Sequence, residues 1–191
     1  MNNTDLCGIT ENALTKKSKR EYFGDLFTTK GIMRVAVIAA LYVVLTITPP
    51  FSLAAFGPVQ FRVSEALTIL PLFFLSAVPG LAIGCLIANI IGSSPIDAAL
   101  GPVASLAAAA ITYIIGRLIK NDAARVSLGI LPPILVNAFV VPFIFILIGL
   151  DYGYWIMVLW VGMGQAVVLA ALGIPLYFSL SKLRGKVSFL R

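Results

Sequence analysis

The sequence predicts an all-α polytopic membrane protein with six transmembrane helices and both termini cytoplasmic. Three observations carry that expectation. Of its 191 residues 60% are hydrophobic and only 12% are charged, against about 25% charged in soluble domains. The apolar residues come in long continuous runs, with a mean hydropathy of +1.01; they do not alternate as membrane β-strands do, so the runs are helices. The net charge of +6 is gathered in short clusters, the pattern of membrane orientation and not of nucleic-acid binding.

Residues 1–31 form a basic leader containing Lys16, Lys17, Lys19, Arg20 and Lys30. It reads as a cytoplasmic segment, partly disordered or interfacial. A secretory signal is the alternative, but the apolar run that follows stops at Pro49-Pro50 without a small-x-small cleavage pattern. A membrane domain is expected over 32–185, and 186–191 form a basic cytoplasmic tail.

Six apolar segments fall at 32–48, 64–77, 79–92, 97–119, 127–149 and 154–181. The first carries Ala36 and Ala40 one helical turn apart, a small-xxx-small pair that lets another helix approach closely. The second and third are short, about 14 residues or roughly 21 Å of helix against a hydrocarbon core of about 30 Å. Pro71, Pro79 and Gly80 would also allow one kinked span there. Charge decides between the two. With six spans and a cytoplasmic N-terminus, only Arg62 of the 14 basic residues lies outside. With five, Arg117, Lys120, Arg125 and all four basic residues from Lys182 onward join it there. Positive-inside bias therefore favours six.

The polar residues within this apolar chain are the candidates for function. Arg62 and Glu65 are three apart, where a helical turn places them on one face as an ion pair. The plain explanation is a salt bridge that satisfies itself at the bilayer edge; the sharper one is a polar site facing an internal cavity. Glu65, Asp97 and Asp151 all fall at the external ends of helices in the six-span topology. Asn89, Asn137 and Gln165 sit in the third, fifth and sixth spans, where each amide needs a hydrogen-bond partner, either another helix or a ligand. Tyr152, Tyr154 and Trp155 read as an interfacial aromatic belt, whereas Trp160 lies deeper and suits stacking on a ring.

Several functions are excluded. There is no histidine, which removes Ser-His and Cys-His nucleophile pairs and the common zinc and haem ligands. Cys7 and Cys85 lie in a polar leader and an apolar run, so neither a disulfide nor a metal site is implied. Gly185-Lys186 lacks the rest of a P-loop, so transport energised by ATP needs another subunit. An intramembrane enzyme would have to rely on a carboxylate dyad, and no paired-aspartate motif is present. Neither catalytic residues nor a cofactor is expected.

Three blocks, AVIAALYVVLT (Ala36–Thr46), FGPVQFRVSEALTILP (Phe56–Pro71) and PGLAIGCLIANI (Pro79–Ile90), together resemble the QueT family of queuosine-precursor transport proteins. These are substrate-binding S-components of energy-coupling factor (ECF) transporters. The resemblance covers roughly residues 30–185. It implies a six-helix subunit that takes its substrate from outside and docks on a shared transmembrane T-component driven by two ATPase subunits. Ala36 and Ala40 would form the docking face. The implied cargo is a 7-deazaguanine: an aminomethyl or cyano precursor base, or queuine. One carboxylate can accept the paired N–H groups of a guanine-like edge, and a second acid suits a positively charged aminomethyl group. Glu65, Asp97 and Asp151 are the available acids, Glu65 and Asp97 being singled out for the site, with Asn89, Asn137 and Gln165 for the carbonyl and ring nitrogens and Phe61 or Trp160 for stacking. Arg62 would position Glu65 or close the loop above it. The nearest alternative is an S-component for another small vitamin or nucleobase; a purely structural membrane subunit is the other.

Overall fold

The computed structural model describes residues 26–48, 55, 61–150 and 153–183. Residues 1–25 of the leader, the tail, Cys7, Asp151 and Tyr152 lie outside these, whereas 29–31, expected in the leader, form the start of the first helix. The described residues are helical, with α1 Thr29–Ile47, a 3-10 helix Val63–Leu72, α2 Ala77–Gly92, α3 Pro95–Leu118, α4 Asp122–Gly129, α5 Leu131–Leu147, α6 Tyr154–Val168, a π turn Leu169–Gly173 and α7 Ile174–Leu183.

Four stretches are long and apolar enough to cross a bilayer: Thr29–Ile47, Pro95–Leu118, Asp122–Leu147 and Tyr154–Leu183. The 3-10 helix and α2 are apolar but shorter. The outside of the bundle is itself apolar, with Ile90, Val103, Phe143 and Leu159 all exposed. In water such a surface would aggregate; against lipid it is the expected one. The protein is a multi-pass membrane protein.

Local chemistry sets the ends of these helices. Thr28 caps α1 by accepting from the Gly31 N–H, and Ser94 caps α3 by accepting from the Asp97 N–H, with Pro95 in the first turn. Asn121 caps α4 through the Ala123 and Ala124 N–H groups. The expected fifth span, 127–149, is two helices. Pro132 and Pro133 have no N–H to give to the turn before them. The Gly129 carbonyl is satisfied from another element, by the Thr112 hydroxyl at 3.1 Å. In the last span the π turn comes just before Pro175, which interrupts the helical ladder in the same way.

The second segment is where the structure departs most from expectation. An α-helix over 64–77 is replaced by ten residues of 3-10 helix, followed by a turn that leads into α2. Runs beyond three or four residues are uncommon in this form, because its hydrogen bonds are poorer. Here nine of the ten residues are buried, so tertiary packing decides the geometry. The segment packs against α1, α2, α3, α4, α6 and α7 and is the axis of the bundle. At about 2.0 Å per residue it is about 20 Å long, as far as 13 residues of α-helix would reach. Its close fit is visible at Gly116 of α3: a Cβ there would lie 2.8 Å from the Leu72 Cα and 2.9 Å from the Leu72 carbonyl oxygen.

The ends of the bundle differ. At one, Arg125 donates to the Leu72 carbonyl and lies over the Phe73 ring, while Tyr177 stacks against Phe73 and donates to Asp122 at 2.8 Å. Toward the other, the start of the 3-10 helix meets the C-terminal parts of α1 and α2 and the N-terminal part of α3.

Candidate functional site

Glu65, in the first turn of the 3-10 helix, is 3% exposed. A carboxylate so deep in apolar protein needs several donors, and three helices supply them. Tyr42 of α1 donates to Oε1 at 2.5 Å. Gln165 of α6 and Asn137 of α5 donate to Oε2 at 3.0 and 3.3 Å. All three donors are neutral.

Arg62 does not form the expected i, i+3 pair with Glu65. It is the N-cap of the 3-10 helix, with extended backbone (φ −91°, ψ 104°). Its side chain therefore leaves the face that helical spacing would give it and reaches α3. Its guanidinium meets Asp97 Oδ2 at 3.3 Å, and its Nε donates to the Ala55 carbonyl at 3.1 Å. Both charges are buried, at 6% and 2% exposure. Asp97 is further held by the Ser93 hydroxyl, 2.5 Å from Oδ2. A buried pair like this holds its geometry only when hydrogen bonds saturate its remaining atoms.

Between these groups lies a cavity lined by Arg62, Glu65, Cys85, Asp97, Gly101, Ala104, Ser105, Asn137, Val140, Val141, Val161 and Gln165. The space left between these side chains is about 10 Å³, room for at most about one water molecule. Two of the three donors to Glu65, Asn137 and Gln165, are part of this lining.

Five of the eight residues singled out by sequence for a ligand thus come together around this space: Arg62, Glu65, Asp97, Asn137 and Gln165. Asn89 stands behind it. Its amide nitrogen donates to the Asp97 carbonyl at 3.1 Å, and a Cβ at Gly101 would lie 2.5 Å from that nitrogen. Asn89 therefore buttresses the first turn of α3 and leaves the lining of the cavity to Gly101. Phe61 and Trp160 do not line it and are 39% and 36% exposed. On α6 the inward stripe is Met157, Val161, Gly164, Gln165 and Val168, and Trp160 lies at its edge. The expectation that either ring stacks on a ligand in this cavity has no counterpart in the geometry. Ala36 and Ala40 lie together on the exposed side of α1, away from the Ile38, Ala39 and Tyr42 face that is buried in the bundle.

Tyr42 is the residue sequence reasoning missed. A phenol inside an apolar helix has a hydroxyl to satisfy, and that was the available signal. Its backbone is tied in as well: Thr46 donates to the Tyr42 carbonyl at 2.7 Å and lies 2.6 Å from the Ser64 hydroxyl, next to Glu65.

Residues 32–182 match the model of a family described as QueT transporter. The chain belongs to the QueT transporter family. It is also 40% identical over 78 residues to a queuosine precursor transporter QueT of Lactococcus lactis subsp. cremoris (strain MG1363). That match covers 41% of this chain and 46% of the relative, so it spans about half the relative's length. No solved structure matches. The Glu65 cluster falls inside the family match, and the family is one of transporters.

Proposed function

We propose that this QueT-family chain is the substrate-binding membrane subunit of an ECF-type importer and captures a 7-deazaguanine precursor of queuosine from outside. The observation that carries the reading is Glu65: a buried carboxylate whose two oxygens accept from side chains of three different helices, beside a cavity. A guanine-like edge offers the same kind of donors side by side. On binding, its N–H groups take the place of the Asn137 and Gln165 amides on Oε2, and the freed amides turn to the ligand's carbonyl and ring nitrogen. The Arg62–Asp97 pair walls the cavity on the α3 side and holds the start of the 3-10 helix, and with it Glu65, in register.

The six-span topology with cytoplasmic termini belongs to this reading. It puts the Glu65 end of the bundle toward the outside and Arg117, Lys120 and Arg125 within. The chain has no P-loop, so a T-component and two ATPases supply the drive, docking along the exposed Ala36–Ala40 side of α1. The name of the Lactococcus relative supports the choice of cargo. An S-component for another small vitamin or nucleobase is the second reading, since a carboxylate flanked by amides suits other donor-rich heterocycles.

Mass spectrometry of the ligand that co-purifies with the protein tests this, followed by dissociation constants for 7-deazaguanines, thiamine, riboflavin and biotin. The expected result is a 7-deazaguanine in the preparation and measurable affinity for that class alone. Tight binding of one of the vitamins instead selects the second reading.

A further inference from the structure

Two rods run side by side through the bundle and are joined at both ends. One is the 3-10 helix with Phe73 after it; the other is α6, the π turn and α7. At one end Gln165 of α6 donates to Glu65 at 3.0 Å. At the other, the ring of Tyr177 on α7 lies 4.9 Å from that of Phe73, and its hydroxyl donates to Asp122. Arg125 donates there to the Leu72 carbonyl. Between the two joints the π turn packs on the 3-10 helix.

The lengths of the rods decide the helix type. Tyr177 is twelve residues after Gln165, about 18 Å at the α-helical rise. Phe73 is eight residues after Glu65, about 16 Å in the 3-10 form but only about 12 Å as an α-helix. The extended form fits between both joints, and the α form falls short. The α form would also turn Glu65 by about 140° relative to Leu72, away from Tyr42, Asn137 and Gln165. At the far end the backbone already shares the two registers. The Leu70 carbonyl accepts from the Phe73 N–H at 2.9 Å, as in a 3-10 helix, and from the Phe74 N–H at 3.4 Å, as in an α-helix.

We infer that the 3-10 helix is a strut kept at full length by the latch at Leu72 and Phe73. When Tyr177, Asp122 and Arg125 let go, the segment shortens toward an α-helix and Glu65 is drawn off its donors. These three are positioning residues for a carboxylate at the opposite end of the bundle. The coupling is reciprocal, so whatever holds the Glu65 cluster closed also holds the latch shut. The consequence for transport rests on the function proposed above: the latch lets the inward end of the bundle govern release of the cargo.

Hydrogen exchange by mass spectrometry, on the full chain in nanodiscs without ligand, tests the strut. Tyr177→Phe keeps the ring against Phe73 and removes only the bond to Asp122. Amides of residues 64–67 are expected to exchange about tenfold faster, the scale of one lost hydrogen bond, while those of 139–147 keep their rates. Asp122→Ala, at an exposed position, should reproduce this pattern if Tyr177→Phe does not fold. Asp122→Asn keeps an acceptor for the hydroxyl and should restore most of the protection. Faster exchange throughout the bundle, or only beside the substituted residue, overturns the inference. So does an Asp122→Asn protein no better protected than Asp122→Ala. Affinity for a 7-deazaguanine is expected to fall with the protection, by a similar factor. If the unmodified protein binds no such compound, the proposed function fails, and the exchange pattern still decides on the strut.

Discussion

The Tyr42 hydroxyl lies 2.5 Å from Glu65 Oε1 and joins α1 to the 3-10 helix across the buried centre of the bundle. Tyr42 is 1% exposed and Glu65 3%, so neither group can fall back on water. Removing one partner from such a contact costs more than the bond itself contributes, because the other is left desolvated and unsatisfied. Tyr42→Phe is therefore expected to lower stability by about 1–3 kcal/mol, measured by unfolding in detergent without added ligand. A change within error would mean that Glu65 is solvated by other groups.

Glu65→Gln keeps the shape but replaces an acceptor by a donor where three donors already converge. A guanine-like edge then meets an N–H in place of an oxygen. The expected outcome is at least about tenfold weaker binding of a 7-deazaguanine, with expression and membrane insertion unchanged. Dissociation constants in nanodiscs, with melting temperature as the folding control, check this; equal affinities would remove Glu65 from the site.

Arg62 and Asp97 should behave as a unit. Asp97→Asn leaves a buried guanidinium without its carboxylate and is expected to cost about 3–5 kcal/mol. The double variant Arg62→Gln/Asp97→Asn should cost clearly less than the sum of the two single changes, since no unbalanced charge from the pair remains. Strict additivity in a double-mutant cycle would show that the 3.3 Å contact carries no coupling.

Ala40→Trp adds bulk on the exposed side of α1, on the face opposite Tyr42. It is expected to abolish uptake by cells while leaving the dissociation constant of the purified protein within about twofold, a margin set by the lack of any shared contact with the cavity. The steric reason is that a large side chain holds apart two backbones that small residues let approach. Normal uptake by a well-expressed variant would place the docking face elsewhere.

How far the sequence could be read follows from what each residue type reveals. Long apolar runs and scarce charge indicate membrane helices regardless of packing, and the four longest were legible within a few residues. Buried polar groups in an apolar chain identify themselves, which is why Arg62, Glu65, Asp97, Asn137 and Gln165 could be named before their partners were known. The partners were less legible. The i, i+3 rule pairs Arg62 with Glu65 only if both lie within one helix, and Arg62 is the residue just before it. The 3-10 geometry of Val63–Leu72 leaves no trace in periodicity, because a segment buried on nearly every side has no polar face to recur. Trp160 misled for a related reason: depth along a helix can be counted from sequence, but the direction a side chain takes around the bundle depends on its neighbours.

With both Glu65 oxygens engaged by Tyr42, Asn137 and Gln165, a ligand that binds as proposed meets an occupied acceptor. Opening comes before capture, and affinity is diluted by the fraction of time the amides spend apart. The observed association rate then climbs with ligand concentration only until it reaches the rate at which the amides let go, and stays there. On the proposed function, capture is timed by two side-chain rotations and not by diffusion.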